Sequence, residues 1–253
     1  VESVELIILG SGTGIPSLTR GSPGFLVKTE NQSILLDGGS GTLARMLQAG
    51  VTYKDLDAVL YTHIHPDHCA DLVPLIFAGK YQEDPREKDL IIVGGMGFRA
   101  YFEGLRWVHG KLIEPDTFRI HTRDVRTDEL TIGDLHLATL PLEHAPESVG
   151  YRLTSSRGRT LVYSGDTDYC LNIVELARGT DLLLLECSFP EGQKVKGHLT
   201  PALAGRIAHE AGCKRLVLTH FYPPCDHADI KRDCQNDFAG EVLLAADTMR
   251  IAV

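Results

Sequence analysis

Thr62-His63-Ile64-His65-Pro66-Asp67-His68 decides how the rest of this 253-residue chain is read. The run follows the apolar stretch Ala58–Tyr61, so it sits where a strand gives way to a loop. Three imidazoles and one carboxylate fall within the six residues from His63 to His68. Imidazole and carboxylate are the side chains that suit zinc and related divalent ions. Alternation lets His63 and His65 face one ion. Pro66 forces a turn, after which Asp67 and His68 can face a second. A single ion could not readily take all these groups from so short a loop.

Outward from this run, short apolar segments alternate with Gly or Asp turns and amphipathic stretches. Strands are expected at 5–10, 24–28, 33–37, 58–62, 90–93, 135–140, 150–154, 160–164, 182–186, 215–219, 241–245 and 249–252. Helices are expected at 42–49, 72–77, 98–108, 173–178, 201–211 and 229–237. Thr200 as N-cap, Pro201 in the first turn and Gly212 as a stop punctuate one of them. Asp37, Thr62-His63, Asp166, Glu186 and Thr219-His220 all stand at strand ends, where a rigid scaffold presents chemistry. A chain with this habit is assembling one site from distant segments. No internal repeat, low-complexity tract or linker divides it, and a single domain over 1–253 is expected.

The central run matches the HxHxDH signature of the metallo-β-lactamase superfamily. Leu36-Asp37-Gly38-Gly39, Leu142-Glu143-His144, Ser164-Gly165-Asp166-Thr167 and Leu218-Thr219-His220 follow in the order of that family's other segments. The resemblance covers almost the whole chain and implies an α/β fold, the αββα sandwich. It also implies the ligands: His63, His65 and His144 for one metal, Asp67, His68 and His220 for the other, and Asp166 bridging both. A dinuclear site of this kind, zinc first with manganese or iron as alternatives, activates a water held between its ions.

Within the superfamily the chain resembles the ribonuclease Z branch. Gly10-Ser11-Gly12-Thr13-Gly14-Ile15-Pro16 with Arg20, the segment from His144 to Arg152, the stretch from Asp181 to Phe189, and Gly197-His198-Leu199-Thr200 carry the likeness. It implies that His198 and Glu186 handle proton transfer near the leaving group. With Asp67 they are the candidate catalytic residues. The Gly10–Gly14 loop is read as a tight turn near the site, since no helix opens after it to cradle a phosphate. Cys225 and His227 could add a ligand, although a substrate-facing loop is the first reading. Phe98, Tyr101, Phe102 and Trp107 are read as packing residues of a helix.

The departures bear on substrate. The tRNA processors of this branch carry a long basic arm between the segments of Arg152 and Asp166. Here those residues form a hairpin turning at Arg157-Gly158. Gly21 stands where an Asn is usual, and Leu199 where a Ser is. Net charge is −9 and the pI about 5.6, against the basic surface a polynucleotide binder needs. The expected function is therefore a phosphodiesterase acting on a small or single-stranded substrate rather than on tRNA. A carboxylic ester, lactone or thioester hydrolase on the same site stays open, as does, in another class, a non-catalytic metal-binding protein.

Six scattered cysteines with no CxxC pair, and an N-terminus without a leader's charge and apolar run, point to a reducing cytoplasm. No apolar run approaches the roughly 20 residues of a membrane span. A homodimer is compatible with the sequence.

Overall fold

The structure, a computed structural model, describes residues 4–253; residues 1–3, part of the N-terminal stretch read above, lie outside it. The first half forms β1 (Glu5–Gly10), β2 (Gly24–Lys28), β3 (Ser33–Leu36), α1 (Thr42–Gln48), β4 (Ala58–Tyr61), α2 (Pro66–Cys69), α3 (Leu72–Gly79), β5 (Leu90–Gly95), α4 (Phe98–His109) and β6 (Ile120–Val125). The second forms β7 (Glu129–Ile132), β8 (Leu135–Pro141), β9 (Val149–Ser155), β10 (Thr160–Tyr163), α5 (Leu171–Leu176), β11 (Leu182–Glu186), α6 (Pro201–Ala211), β12 (Arg215–Thr219), α7 (Ile230–Gln235), β13 (Glu241–Leu244) and β14 (Arg250–Ala252).

The strands make two seven-stranded sheets, ordered β14-β1-β2-β3-β4-β5-β6 and β7-β8-β9-β10-β11-β12-β13. In the first, pairing is antiparallel as far as β3 and parallel from β3 to β6. The second repeats this pattern, antiparallel to β10 and parallel from β10 to β13. The repeat is architectural and leaves no trace in the residues.

The layering follows from strands that are apolar on both sides. In Leu182-Leu183-Leu184-Leu185, the period of 2 sends alternate side chains to opposite faces. Leu182 and Leu184 join the core between the sheets, while Leu183 and Leu185 join an outer core under α5, α6 and α7. β4 does the same: Ala58 and Leu60 face the other sheet, Val59 and Tyr61 face the helices of the first half. Continuous apolar runs of this kind mark parallel strands covered on both faces. The result is helices, sheet, sheet, helices: the αββα sandwich.

β6 and β7 were not expected as strands. Both lie at the outer edge of their sheets; β6 carries the polar run His121-Thr122-Arg123-Asp124, and β7 alternates Glu129 and Thr131 with Leu130 and Ile132. Charged edge strands escape a hydrophobicity reading and protect the sheet from adding a foreign strand. α2 was expected as a turn and is one helical turn with Pro66 at its start. Thr200 holds the N-cap position of α6 but its side chain makes no capping bond; Glu191 Oε1 accepts from the Ala202 N–H at 2.8 Å instead. Gly212 ends that helix in the left-handed region. Among the described residues no helix is long and apolar enough to cross a membrane.

Candidate metal centre

Parallel strands present their C-terminal ends together, and ligand sites form there. β3, β4, β10, β11 and β12 end at Leu36, Tyr61, Tyr163, Glu186 and Thr219. The residues that follow them, Asp37, Thr62-His63, Asp166 and His220, meet at one edge of the sandwich. The two sheets touch at this edge, where the Val149 N–H donates to the Thr62 carbonyl at 3.0 Å. Two glycines permit the approach. A Cβ on Gly39 would lie 1.8 Å from the Asp67 carbonyl oxygen. Gly165 has φ +60°, and a Cβ there would strike Thr62 at 2.5 Å. Larger residues at either position would push the loops of Asp67 and Asp166 off the site.

The carboxylate of Asp166 is the hub. Its Oδ2 lies 3.9 Å from His63 Nε2 and 3.7 Å from His144 Nε2. Its Oδ1 lies 3.3 Å from His68 Nε2 and 3.4 Å from His220 Nε2. His65 Nδ1 comes within 3.1 Å of His144 Nε2, and Asp67 Oδ2 within 3.5 Å of His220 Nε2. His63, His65, His144 and Asp166 thus form one group with atoms spaced as metal ligands are, and Asp67, His68 and His220 a second. A third group, Asp166, His198 and His220, overlaps both. Neither Cys225 nor His227 joins these groups among the described residues. The Cys225 thiol is buried and directed at the Cys187 and Ser188 carbonyls.

A second ring of bonds fixes which nitrogen faces inward. His68 Nδ1 is 2.8 Å from Asp37 Oδ2, His144 Nδ1 is 2.9 Å from the Gly197 carbonyl, and His220 Nδ1 is 2.9 Å from Ser188 Oγ. His63 Nδ1 is 3.0 Å from Thr62 Oγ1. With Nδ1–H donating outward, each Nε2 presents a lone pair to the centre. Those atoms are then left without partners: His63 Nε2, His68 Nε2, His220 Nε2 and Asp166 Oδ1 are buried and make no hydrogen bond. Buried polar atoms are normally satisfied. Orphaned acceptors converging from both sheets are what a cation site looks like before its cation is counted, so the residues fit a divalent metal.

The electrostatics divide the imidazoles: Asp166 and Asp37 outweigh burial and hold His68 well above the ordinary imidazole value, so its Nε2 must give up a proton to a cation. Burial opposes ionisation of Asp166, yet His220 and His68 outweigh it and hold the carboxyl well below its usual range. Asp67 is drawn down to about 2, its burial outweighed by His220 and His68. Burial, helped by neighbouring imidazoles, keeps His63 and His144 below the ordinary imidazole value, so they are neutral and free to donate a lone pair.

His198 and Glu186 sit beside this cluster. His198 Nδ1 lies 3.0 Å from Glu186 Oε1. Burial lowers the His198 pKa, but the hydrogen bond and charge of Glu186 more than offset it and the net shift is upward. Glu186 is fully enclosed, accepting from the backbone N–H groups of Thr167, Ser188 and Leu199. Leu199, the residue in place of Ser, is buried and contributes its backbone.

Two residues here, Tyr163 and Ser188, were not singled out from the sequence, and Asp37 was noted only as a polar residue at a strand end. Asp37 accepts four hydrogen bonds, from Thr62 N–H and Oγ1, Tyr163 Oη and His68. Tyr163 looked like any strand aromatic. Ser188 Oγ touches Glu186 Oε2 at 2.5 Å, His198 Nδ1 at 3.2 Å and His220 Nδ1 at 2.9 Å. The signal for Asp37 was its place at a strand end; for Ser188 there was none. Trp107 is 88% exposed rather than packed, whereas Phe98 and Phe102 are buried.

A family model for the β-lactamase superfamily domain matches residues 32–221. The chain belongs to the metallo-β-lactamase superfamily. Among curated members, ribonuclease Z of Streptomyces avermitilis is 30% identical over 98% of this chain and 97% of its own. The probable metallo-hydrolase YhfI of Bacillus subtilis is 30% identical over 96% of this chain and 97% of its own. The YhfI crystal structure, a metallo-β-lactamase fold protein, is similar with a TM-score of 0.86 at 28% identity, covering 99% of this chain and 100% of that one. The short form of human tRNase Z gives 0.78 at 25%, covering 98% of each. The protein is accordingly a metal-dependent hydrolase of the metallo-β-lactamase superfamily, similar to ribonuclease Z and to YhfI.

Proposed function

We propose that the protein hydrolyses phosphodiesters in a small or single-stranded substrate, using two divalent ions, zinc first. His63, His65 and His144 would hold one ion and Asp67, His68 and His220 the other, with the Asp166 carboxylate available to both. The observation that carries this reading is the pair of ligand groups facing the two oxygens of Asp166, with buried orphans at His63 Nε2, His68 Nε2, His220 Nε2 and Asp166 Oδ1 and the His198–Glu186 pair alongside. Ions bound there would polarise the phosphoryl oxygens and make water acidic enough to attack at neutral pH. His198, its Nδ1 engaged by Glu186, keeps Nε2 for the departing oxygen and delivers the proton. Glu186, held by three backbone donors, fixes the tautomer and orientation of that ring.

The small substrate is supported by the tight β9–β10 connection, where Thr154 pairs with Thr160 and Gly158 turns the chain at φ +78°. The match to the Streptomyces ribonuclease Z runs over 299 aligned positions, more than the chain contains, so that protein carries segments this chain lacks. The match to YhfI runs over 249.

The test is turnover of bis(p-nitrophenyl) phosphate against p-nitrophenyl acetate by protein loaded with zinc or manganese, with metal content measured in parallel. Preference for the phosphodiester, lost in His65→Ala together with at least one ion, is expected. Faster ester cleavage would favour the carboxylic ester reading. Protein that takes up no metal on reconstitution would refute both.

A further inference from the structure

Phe189 and Tyr222 are two aromatic residues that the fold does not use. Neither belongs to the apolar clusters between the sheets or under the helices, nor to the partly buried residues packed against them. Their rings stack on each other, centroids 4.7 Å apart and planes 16° from parallel. Both are half-buried rather than covered. They are also the aromatic pair that stands over the site. Tyr222 meets His220 edge-on at 5.8 Å and His198 at 6.1 Å, and Phe189 meets His198 at 5.8 Å.

The backbone explains why the pair is rigid. β11 and β12 run parallel with Glu186 opposite Thr219, so residues three further along each strand emerge side by side. The Tyr222 N–H donates to the Ser188 carbonyl at 3.3 Å. Each ring is carried by a residue before proline, Pro190 or Pro223, a position biased to extended backbone. Tyr222 accordingly has φ −74° and ψ 157°. Across the site the loop of residues 12–20 passes so close that a Cβ on Gly14 would lie 3.4 Å from that of Asp67. This loop exposes Ile15 at 48% and Leu18 completely. Its arginine, Arg20, is engaged with Ser11 Oγ, the Ala245 carbonyl and Asp226.

We infer that the Phe189–Tyr222 pair is a stacking subsite for a planar aromatic group, a nucleobase or a simple aryl ring, carried on the leaving-group side of the phosphodiester. The inference rests on the phosphodiester reading above. A fixed aromatic face next to the proton donor accepts any flat ring and rejects an alkyl or bare sugar, because every base or aryl group offers a π-face. Two rotatable side-chain bonds per ring and restrained backbones leave little entropy to lose on binding.

The experiment measures competitive inhibition of bis(p-nitrophenyl) phosphate hydrolysis by the zinc-loaded enzyme. The inhibitors share one phosphomonoester group: methyl phosphate, ribose 5-phosphate, phenyl phosphate and adenosine 5′-monophosphate. The two ring-bearing compounds should bind about tenfold or more tightly than their ring-free counterparts, within the usual range for stacking on an aromatic side chain. Tyr222→Ala should bring that ratio to near one while leaving methyl phosphate unchanged, and Tyr222→Phe should keep it. Phe189→Ala, which removes the ring behind, should reduce the ratio in the same direction. Metal content measured on each variant separates loss of stacking from loss of the site. The adenosine compound surpassing phenyl phosphate would support a nucleobase, and the reverse a simple aryl group. A ratio near one in the wild type, or a ratio unmoved by both alanine variants, overturns the inference and leaves the phosphodiester reading intact. Failure of all four compounds to inhibit likewise overturns the inference, whereas an enzyme that holds its metals yet does not turn over bis(p-nitrophenyl) phosphate would overturn that reading, and this inference with it.

Discussion

Replacing Asp37 by Asn tests whether the outer ring of bonds sets the metal site. Asp37 is completely buried and sits at φ +53°, a region Asn tolerates better than most residues. The substitution therefore changes charge and hydrogen bonding with little change of shape. Oδ1 accepts the Thr62 N–H at 2.8 Å; Oδ2 accepts Thr62 Oγ1 at 2.9 Å, Tyr163 Oη at 2.7 Å and His68 Nδ1 at 2.8 Å. Hydroxyls can rotate to accept from an amide, but a backbone N–H and an imidazole N–H cannot. If the amide nitrogen faces Thr62, one buried N–H is orphaned at a cost of about 1–3 kcal/mol. If it faces His68, the ring must move its proton to Nε2, the atom 3.3 Å from Asp166 Oδ1, and that proton blocks the lone pair meant for a metal. Either way the His68 group should lose about 10- to 100-fold in metal affinity, the usual effect of removing such a partner. Competition against a fluorescent chelator would measure it, with circular dichroism and a urea melt as controls. A variant that folds and binds both ions with wild-type affinity would refute the argument that Asp37 orients His68.

Further outcomes follow from the same geometry. Ser188→Ala should weaken metal binding at the His220 group by about tenfold and steepen the dependence of rate on leaving-group pKa, with Ser188→Thr restoring both; an unchanged slope would remove Ser188 from the proton-transfer apparatus. His198→Ala should keep the metals and lose most turnover of substrates with poor leaving groups, but less with p-nitrophenolate, which departs without a proton; equal losses would mean that His198 positions rather than protonates. Arg86 is 2% exposed and donates to the carbonyls of Lys88, Tyr53, Leu56 and Asp89, with no carboxylate partner among the described residues, so Arg86→Met should destabilise by about 3 kcal/mol or more, read as a lower urea midpoint with metal content intact. A tRNA precursor with a 3′ trailer should not be cleaved efficiently at physiological salt, since a chain of net charge −9 offers few phosphate contacts; clean trailer removal at low enzyme concentration would overturn the small-substrate proposal.

What was legible in the sequence and what was not divide along physical lines. Central strands such as Leu182–Glu186 and Arg215–Thr219 are apolar on both faces and announce themselves, to the residue. β6 and β7 carry the polar faces of edge strands and look like loop. The run from His63 to His68 could be named because metal ligation restricts residue type severely, whereas His144, Asp166 and His220 were named through the order of segments shared with the metallo-β-lactamase superfamily. Their grouping was what the resemblance to the metallo-β-lactamase superfamily implied; the distances to the two oxygens of Asp166 needed coordinates. Ser188 was invisible for the opposite reason: a serine satisfies countless roles, and only its distances to Glu186, His198 and His220 distinguish this one. Trp107 was misread because helical spacing says which residues share a face, not whether anything covers it.

The candidate metal groups straddle the sandwich. His63, His65, Asp67 and His68 extend from the first sheet, and His144, Asp166 and His220 from the second, so the group around His63 and the group around His68 each draw on both. An ion seated in either one would be a clasp between two slabs otherwise held by their shared apolar core and a few hydrogen bonds, such as Val149 N–H to the Thr62 carbonyl and Tyr163 Oη to Asp37. Its affinity then reports how well the slabs are aligned, as a strain gauge would. A cavity cut far away in the shared core, by Leu184→Ala for example, should be felt first as a metal that leaves more easily, at temperatures where the chain is still folded.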